Sequence, residues 1–200
     1  MPLYDQDIRG PLLNKLSKLE PYSSDPSTVV IPEMDVCAGN ARIDIAVINH
    51  NINGYEIKSE RDTLERLPSQ IEFYNKFFDN ITLVVSGSHF SKAKEIIPDW
   101  WGIEYVVEEE DSLVIYSERE PRQNKELDIL SLACILWKSE QLELLKKYGI
   151  TKGVKSKTRY ELAEKIVNNV SNNDIKEYVK EKLKSRESWR AVPIQQLCDG

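Results

Sequence analysis

The chain has 200 residues, of which 40% are hydrophobic and 30% charged, and its formal net charge is −6. This size and composition predict a soluble globular protein of one domain, or one domain with a small appendage. No apolar run approaches the ~20 residues that a membrane-spanning helix needs. The charged N-terminus does not resemble an export signal, so we expect a cytoplasmic protein with no membrane partner.

The cysteines and histidines limit the chemistry that this chain can perform. Cys37, Cys134 and Cys198 are odd in number and far apart, which argues against a disulfide framework and against a four-cysteine zinc or iron–sulfur site. His50 and His89 are the only histidines. Metal chemistry in this chain would therefore have to depend on carboxylates.

A helix and a β-hairpin are predicted in the first sixty residues. Apolar residues at helical spacing predict a helix over residues 5–19, and a Pro- and Ser-rich loop then leads to a strand that contains Glu33. The next strand, RIDIAVI, alternates, and one predicted face carries Ile43, Ile45 and Val47. Because NHNING is a turn sequence, we expect RIDIAVI and GYEIKS to form a hairpin.

The middle of the chain completes an α/β pattern. We expect a helix over residues 67–78, a doubly buried strand from ITLVVS, and a short helix from SKAKEII. The segments GIEYVVEE and SLVIYSE predict a closing strand pair. Residues 1–120 thus form an α/β body whose core order is helix, three strands, helix, strand.

The C-terminal part, residues 121–200, is predicted to be helical. We expect helices over residues 126–137 and 139–148, and two more in TKGVKSKTRYELAEKIVNNV and NDIKEYVKEKLKSRESW. Residues 138–190 hold 14 Lys and Arg against 8 Asp and Glu, a balance of +6, whereas the rest of the chain balances to −12. Such a basic part fits a polyanion-binding surface, solvated helix faces, or a surface for a homodimer or a protein partner.

Charged residues stand inside the predicted hairpin, where burial favours apolar ones. Glu56 and Lys58 are two apart and share one strand face, and the hairpin brings Asp44 close to them. If Glu56 and Lys58 are considered by themselves, a solvated edge strand would explain them. In a core, however, buried charges are costly unless they are paired or bind a metal. Two neighbouring carboxylates repel unless a cation lies between them, and Mg²⁺ or Mn²⁺ prefers such oxygen ligands. The backbone carbonyl of Ile57 would add a further ligand.

The helix after this strand carries a polar row. Arg66, Gln70 and Tyr74 are spaced i, i+4 and i+8, so they line one side of the helix and suit substrate positioning. Glu33 on the preceding strand is a candidate third carboxylate, and Asp35, two residues on, is an alternative on the same strand face.

The pattern Asp44, Glu56-Ile57-Lys58 and Gln70-x-x-x-Tyr74 resembles the PD-(D/E)XK nuclease superfamily in its RecB-like form. The wider block RIDIAVIN…GYEIKSERDTLERLPSQIEFYNKFFDNITLVVS…WWGIEYV is similar to a bacterial and phage family within it. The resemblance covers roughly residues 8–107. It departs from the superfamily pattern at Ile43, which stands where a Pro is usual.

This resemblance implies a restriction-endonuclease-like core and a site. It implies the following roles: metal ligands Asp44 and Glu56 with Glu33, catalytic lysine Lys58, and substrate-side residues Gln70 and Tyr74. The leading prediction is a Mg²⁺-dependent deoxyribonuclease with DNA as its partner. The alternatives are a nucleic-acid-binding or regulatory protein that keeps the fold without cleaving, and a protein-interaction module.

Other polar and aromatic residues have two interpretations each. Trp100 and Trp101 suit base stacking, but we favour a core position for them. His89, which follows a buried strand, is expected to be structural. Asp62 and Arg66 either brace the site or form a local salt bridge, and the sequence does not separate these two options.

Overall fold

The structure, a computed structural model, describes residues 2–110, 112–186 and 191–198. Its strands are β1 (Val29–Val36), β2 (Ala41–Ile48), β3 (Ile52–Lys58), β4 (Asn80–Ser86), β5 (Gly102–Glu109), β6 (Ser112–Arg119) and β7 (Val192–Pro193). Its helices are α1 (Asp5–Lys18), α2 (Leu67–Asn75), α3 (Phe90–Ile96), α4 (Ile129–Ile135), α5 (Lys138–Lys147), α6 (Arg159–Val167) and α7 (Asn172–Ser185). The α/β class and the order helix, three strands, helix, strand are confirmed.

The described strands form one mixed sheet with the order β6-β5-β4-β3-β2-β1-β7. Strands β1, β2 and β3 form an antiparallel meander, so the predicted hairpin is confirmed. Strands β3, β4 and β5 are parallel, and α2 and α3 make the crossovers that parallel strands require. The predicted closing pair, β5 and β6, is antiparallel.

Each face of the sheet is covered by helices. On one face, α1 buries Ile8, Leu12 and Leu16 against β2 and β3. On the other face, α2 and the C-terminal helices α4–α7 contribute to a single hydrophobic cluster with the sheet. The sheet and the C-terminal helices therefore share one apolar core.

Helix α2 ends at Asn75, three residues before the predicted end. The backbone N–H groups of Phe77 and Phe78 both donate to the carbonyl of Tyr74, which closes the helix. The chain then turns into β4, and both Phe side chains are fully buried. Burial of these two rings fixes the end of the helix, and the periodicity of the sequence alone does not reveal this end.

Helix α5 lies within one residue of its predicted bounds, whereas α4 and α6 begin later than predicted because side chains cap their first turns. Helix α4 begins at Ile129, since the Asp128 carboxylate accepts hydrogen bonds from two backbone N–H groups of the first turn. Helix α6 begins only at Arg159, after the Thr158 hydroxyl caps it. The last predicted helix ends at Ser185, and the rest of that prediction falls largely outside the described residues. Strand β7 was not predicted. In the part of the chain that the structure describes, no helix is long and apolar enough to cross a bilayer.

The predicted alternation of β2 is interrupted at Asp44. Ile45 and Val47 pack under α1 as expected, but Ile43 packs in the cluster on the opposite face. Glu33 lies at the level of Asp44, between the β1–β2 pairs Pro32–Ile45 and Met34–Ile43, and has φ of +52°, in the left-handed region. A left-handed residue breaks the two-residue period of a strand, so the sheet changes its packing at this level.

Gly102, at the start of β5, has no room for a side chain. A Cβ atom there would lie 2.8 Å from Pro121 Cδ and 2.8 Å from the Thr82 hydroxyl. We expect Gly102→Ala to lower the free energy of unfolding by about 1–3 kcal/mol, measured by urea denaturation. Gly87→Ala is the control, because its Cβ would meet nothing closer than 3.7 Å, and its effect should stay within about 0.5 kcal/mol. Equal effects would contradict the packing argument.

Candidate active site

The β2–β3 ladder opens where the predicted site residues begin. Paired residues run from Ile48–Ile52 to Ile45–Tyr55 and stop one position before Asp44 and Glu56. Side chains replace the missing ladder. Asp44 Oδ2 accepts a hydrogen bond from the backbone N–H of Ile57 at 2.7 Å. The Tyr74 hydroxyl lies within hydrogen-bond distance of the Arg42 carbonyl. At this opening, Asp44 and Glu56 line the same cleft.

Glu56 is the centre of a buried polar cluster and is only 2% exposed. Its Oε1 accepts from Lys58 Nζ at 2.7 Å and from Gln70 Nε2 at 2.6 Å. Its Oε2 lies 2.8 Å from the Tyr74 hydroxyl. Burial and the nearby Glu56 carboxylate raise the pKa of Tyr74 well above its usual range, so this phenol stays a donor. The structure thus brings four of the predicted side chains into direct contact.

Asp44 completes the pair of carboxylates. Burial, and then repulsion from Glu56, raise the pKa of Asp44 to about 8. A raised pKa means that the ionised form lacks a sufficient counter-charge in the protein alone. The two carboxylates therefore form a place where a cation would be stabilised.

Of the two candidate acids on β1, Glu33 is the nearer to Asp44. It lies at the level of Asp44, and its carboxylate is 2.5 Å from the Arg9 guanidinium, which is also 3.6 Å from Asp44 Oδ1. Asp35 instead forms an exposed ion pair with Arg42 at 2.8 Å. Glu33 is thus linked to the carboxylate pair through Arg9, and Asp35 belongs to the rim.

The cleft around these residues has a volume of about 430 Å³ and an acidic lining. Its acids are Asp5, Glu33, Asp35, Asp44, Glu56 and Asp62, and its bases are Arg42, Lys58 and Arg66. A phosphate would meet repulsion here unless a cation were bound as well. The excess negative charge of the cleft therefore favours a bound cation, as the carboxylate pair does.

Residues outside the carboxylate pair have clear structural places. Asp62 accepts hydrogen bonds from the backbone N–H and hydroxyl of Ser59, so it braces the loop after β3 and does not pair with Arg66. His89 lies 3.0 Å from the Asp62 carbonyl, which fits the expected structural role. Arg66 lines the cleft and is exposed.

The aromatic pair before β5 differs in burial. Trp101 is fully buried, stacks on Tyr74 and donates to the Asn75 side chain, so the predicted core position is confirmed for it. Trp100 is half-buried against the same cluster.

Arg9 is a site residue that the sequence analysis missed, as is Asp5, which lines the cleft. Arg9 lies on α1, which packs on the face of the sheet opposite α2, and its guanidinium donates to the backbone carbonyl of Asp44 at 3.0 Å. The helical spacing of Ile8 and Leu12 shows that α1 is amphipathic, but spacing along α1 carries no information on where the helix docks. Only the tertiary packing of α1 places Arg9 at the cleft.

The fold and the cleft define a mixed α/β protein whose sheet opens into an acidic site beside a hairpin. Residues 2–192 match the family described as Bacteriophage P4 protein cII, and the chain belongs to this family. Protein cII of Enterobacteria phage P4 is 27% identical over 184 residues, which cover 92% of this chain and 68% of that protein. No solved structure matches the chain significantly.

These matches confirm the phage part of the predicted resemblance. They do not connect the chain with the PD-(D/E)XK superfamily, and they give the nuclease prediction no support. The alternative prediction, a regulatory phage protein on the same fold, agrees with them better.

Proposed function

We propose that the chain is a metal-dependent nuclease that hydrolyses DNA phosphodiester bonds on a restriction-endonuclease-like core. The observation that carries this proposal is the convergence of Asp44, Glu56 and Lys58 where the β2–β3 ladder opens. Gln70 and Tyr74 adjoin the same carboxylate from α2. Five residues from three elements meet here, and four of them line one cleft with Tyr74 buried behind it, which a solvated strand face would not require.

The residues present fit a hard divalent cation, Mg²⁺ or Mn²⁺. Asp44 and Glu56 would hold it with the Ile57 carbonyl, and Glu33 is the further candidate ligand. Among the described residues, no group of three or more His, Cys, Asp or Glu side chains is arranged to hold a metal. Water and substrate oxygens would therefore complete the shell, as is usual for Mg²⁺. Such an ion supplies Lewis acidity and lowers the pKa of bound water.

The protein's own side chains would position the substrate. Lys58 Nζ, held by Glu56 at 2.7 Å, places a positive charge in the cleft for a water molecule or a phosphate oxygen. Gln70 is buried, and its Oε1 has no hydrogen-bond partner within the described residues, so it can accept from a substrate group. Arg66 is exposed at the cleft, where its guanidinium can contact the phosphate backbone of a substrate.

The second candidate function is a nucleic-acid-binding regulator that does not cleave. Two observations favour it: Lys58 and Arg9 already pair with the site carboxylates, and the matching family is a phage family. The helical part after residue 120 would then supply most of the binding. Its exposed lysines Lys146, Lys147, Lys152 and Lys155 suit phosphate contacts. The same helices offer outer faces for a homodimer or a protein partner, which is the third candidate.

Incubation with linear, circular and single-stranded DNA separates these candidates. The nuclease proposal expects cleavage products with Mg²⁺ or Mn²⁺ and none with EDTA, seen on denaturing gels. Cutting of circular DNA would indicate endonuclease action. Binding that weakens steeply with salt, without cleavage in either metal, would overturn the nuclease proposal and support the regulator. A protein that neither binds nor cleaves DNA would support the third candidate, a protein-interaction module.

A further inference from the structure

One guanidinium, from Arg9, contacts three carboxylates at the edge of the cleft. Its Nη2 lies 3.0 Å from Asp5 Oδ2, 2.5 Å from Glu33 Oε1 and 3.6 Å from Asp44 Oδ1. Its Nη1 donates to the backbone carbonyl of Asp44 at 3.0 Å. Arg9 is therefore tied both to the Asp44 strand and to two further acids.

These contacts affect the number of cations that the cleft can hold. Arg9 uses one lone pair of Glu33 Oε1, and its positive charge lowers the gain from placing that carboxylate on a metal ion. The positive charge near Asp44 also repels a second cation. Without Arg9, the acids Asp5, Glu33 and Asp44 would face one another with no counter-charge from α1.

We propose that Arg9 is a positioning residue that limits the cleft to one divalent cation by holding Glu33 away from the metal and fixing the Asp44 strand. This inference rests on the proposed function, because it concerns the same cation. It assigns Glu33 a role that differs from the predicted third ligand: in the parent protein, Glu33 is the partner of Arg9. It also adds a residue of α1 to a site that otherwise consists of residues from the hairpin and α2.

Titration with Mn²⁺, followed by electron paramagnetic resonance of the free ion, tests this assignment. We expect one Mn²⁺ per chain for the parent. Arg9→Gln removes the charge and frees Glu33, so we expect either a second bound Mn²⁺ or a first ion bound about tenfold more tightly. Arg9→Gln should also cleave DNA more slowly, because Asp44 loses its anchor. Tighter metal binding with weaker cleavage is a combination that a purely structural defect would not produce.

Three further variants make the test specific. Arg9→Lys keeps the charge, so it should keep the parental Mn²⁺ count. The double variant Arg9→Gln/Glu33→Gln should lose the extra ion, or the tighter binding, because the freed acid is gone. Arg122→Gln is the matched control: Arg122 bonds to the Asp99 carbonyl outside the cleft, so its loss should leave the Mn²⁺ isotherm unchanged. Circular dichroism checks that each variant is folded.

The outcomes separate this inference from the proposed function. If the parent binds one ion and Arg9→Gln has the same isotherm, the role of Arg9 is wrong and the metal site stands. If neither protein binds Mn²⁺, the proposed metal site itself is wrong, and this inference is overturned with it. If only Arg9→Gln binds Mn²⁺, the proposed limit of one cation is wrong: Arg9 then acts as the resident cation of the site, which favours the non-cleaving candidate.

Discussion

Lys58→Ala should cleave DNA about 10²–10⁴-fold more slowly than the parent. The Lys58 ammonium is in direct contact with Glu56, and it lies in the cleft where a scissile phosphate would bind. The loss should fall mainly on the rate of the chemical step, measured by single-turnover cleavage. Glu56 loses its cation but keeps its contacts with Gln70 and Tyr74, so the variant should be less stable than the parent yet still fold, which circular dichroism checks.

Asp44 provides the matching test from the other strand. Asp44→Ala should abolish cleavage as well. Asp44→Asn keeps an acceptor for the Ile57 N–H, so it removes the charge with less disturbance of the hairpin. Lys94→Ala is the control, because Lys94 pairs with the exposed Glu118 outside the cleft. If the Asp44 and Lys58 variants cut as fast as the parent, the proposed mechanism is wrong.

Glu56→Ala should lower the free energy of unfolding by about 3–5 kcal/mol. Glu56 and Lys58 form an ion pair whose side chains are 3% and 10% exposed. Removing the carboxylate leaves the Lys58 ammonium in the cleft wall without its anion. Gln70 and Tyr74 lose a hydrogen-bond partner at the same time, and buried unpaired polar groups are destabilising. Urea denaturation followed by circular dichroism measures the change.

Two comparisons show whether the buried charge is the cause. The double variant Glu56→Leu/Lys58→Met replaces both charges with apolar groups, so it should recover much of the lost stability. Glu72→Ala breaks an exposed pair with Lys76 on α2 and should change stability by less than about 1 kcal/mol. A Glu56→Ala variant no less stable than Glu72→Ala would show that the pair contributes little.

Local patterns were sufficient to predict the hairpin and the polar row on α2. The turn sequence fixes which strands pair, and the side-chain period of two then places Glu56 and Lys58 on one face. The period of 3.6 places Gln70 and Tyr74 on one side of the helix. These residues are close in sequence, so short-range rules determine which of them meet.

The features that the sequence did not reveal depend on packing between distant segments. Arg9 reaches Asp44 only because α1 docks across β2 and β3. Ile43 changes sides because Glu33, on the neighbouring strand, takes a left-handed conformation. The short strand β7 exists because the end of the chain returns to β1, more than 150 residues away. Periodicity within a segment contains none of this information.

The apolar core shared by the sheet and the C-terminal helices has a consequence for synthesis of the protein. The candidate site residues all precede α4–α7 and β7 in the sequence, so the ribosome releases them before these elements. Their sheet is buried by α4–α7, and β7 pairs with β1 beside the strand segment that leads to Glu33. Since an apolar sheet face is not stable without its cover, the cleft acquires its final shape only when α4–α7 and β7 have emerged.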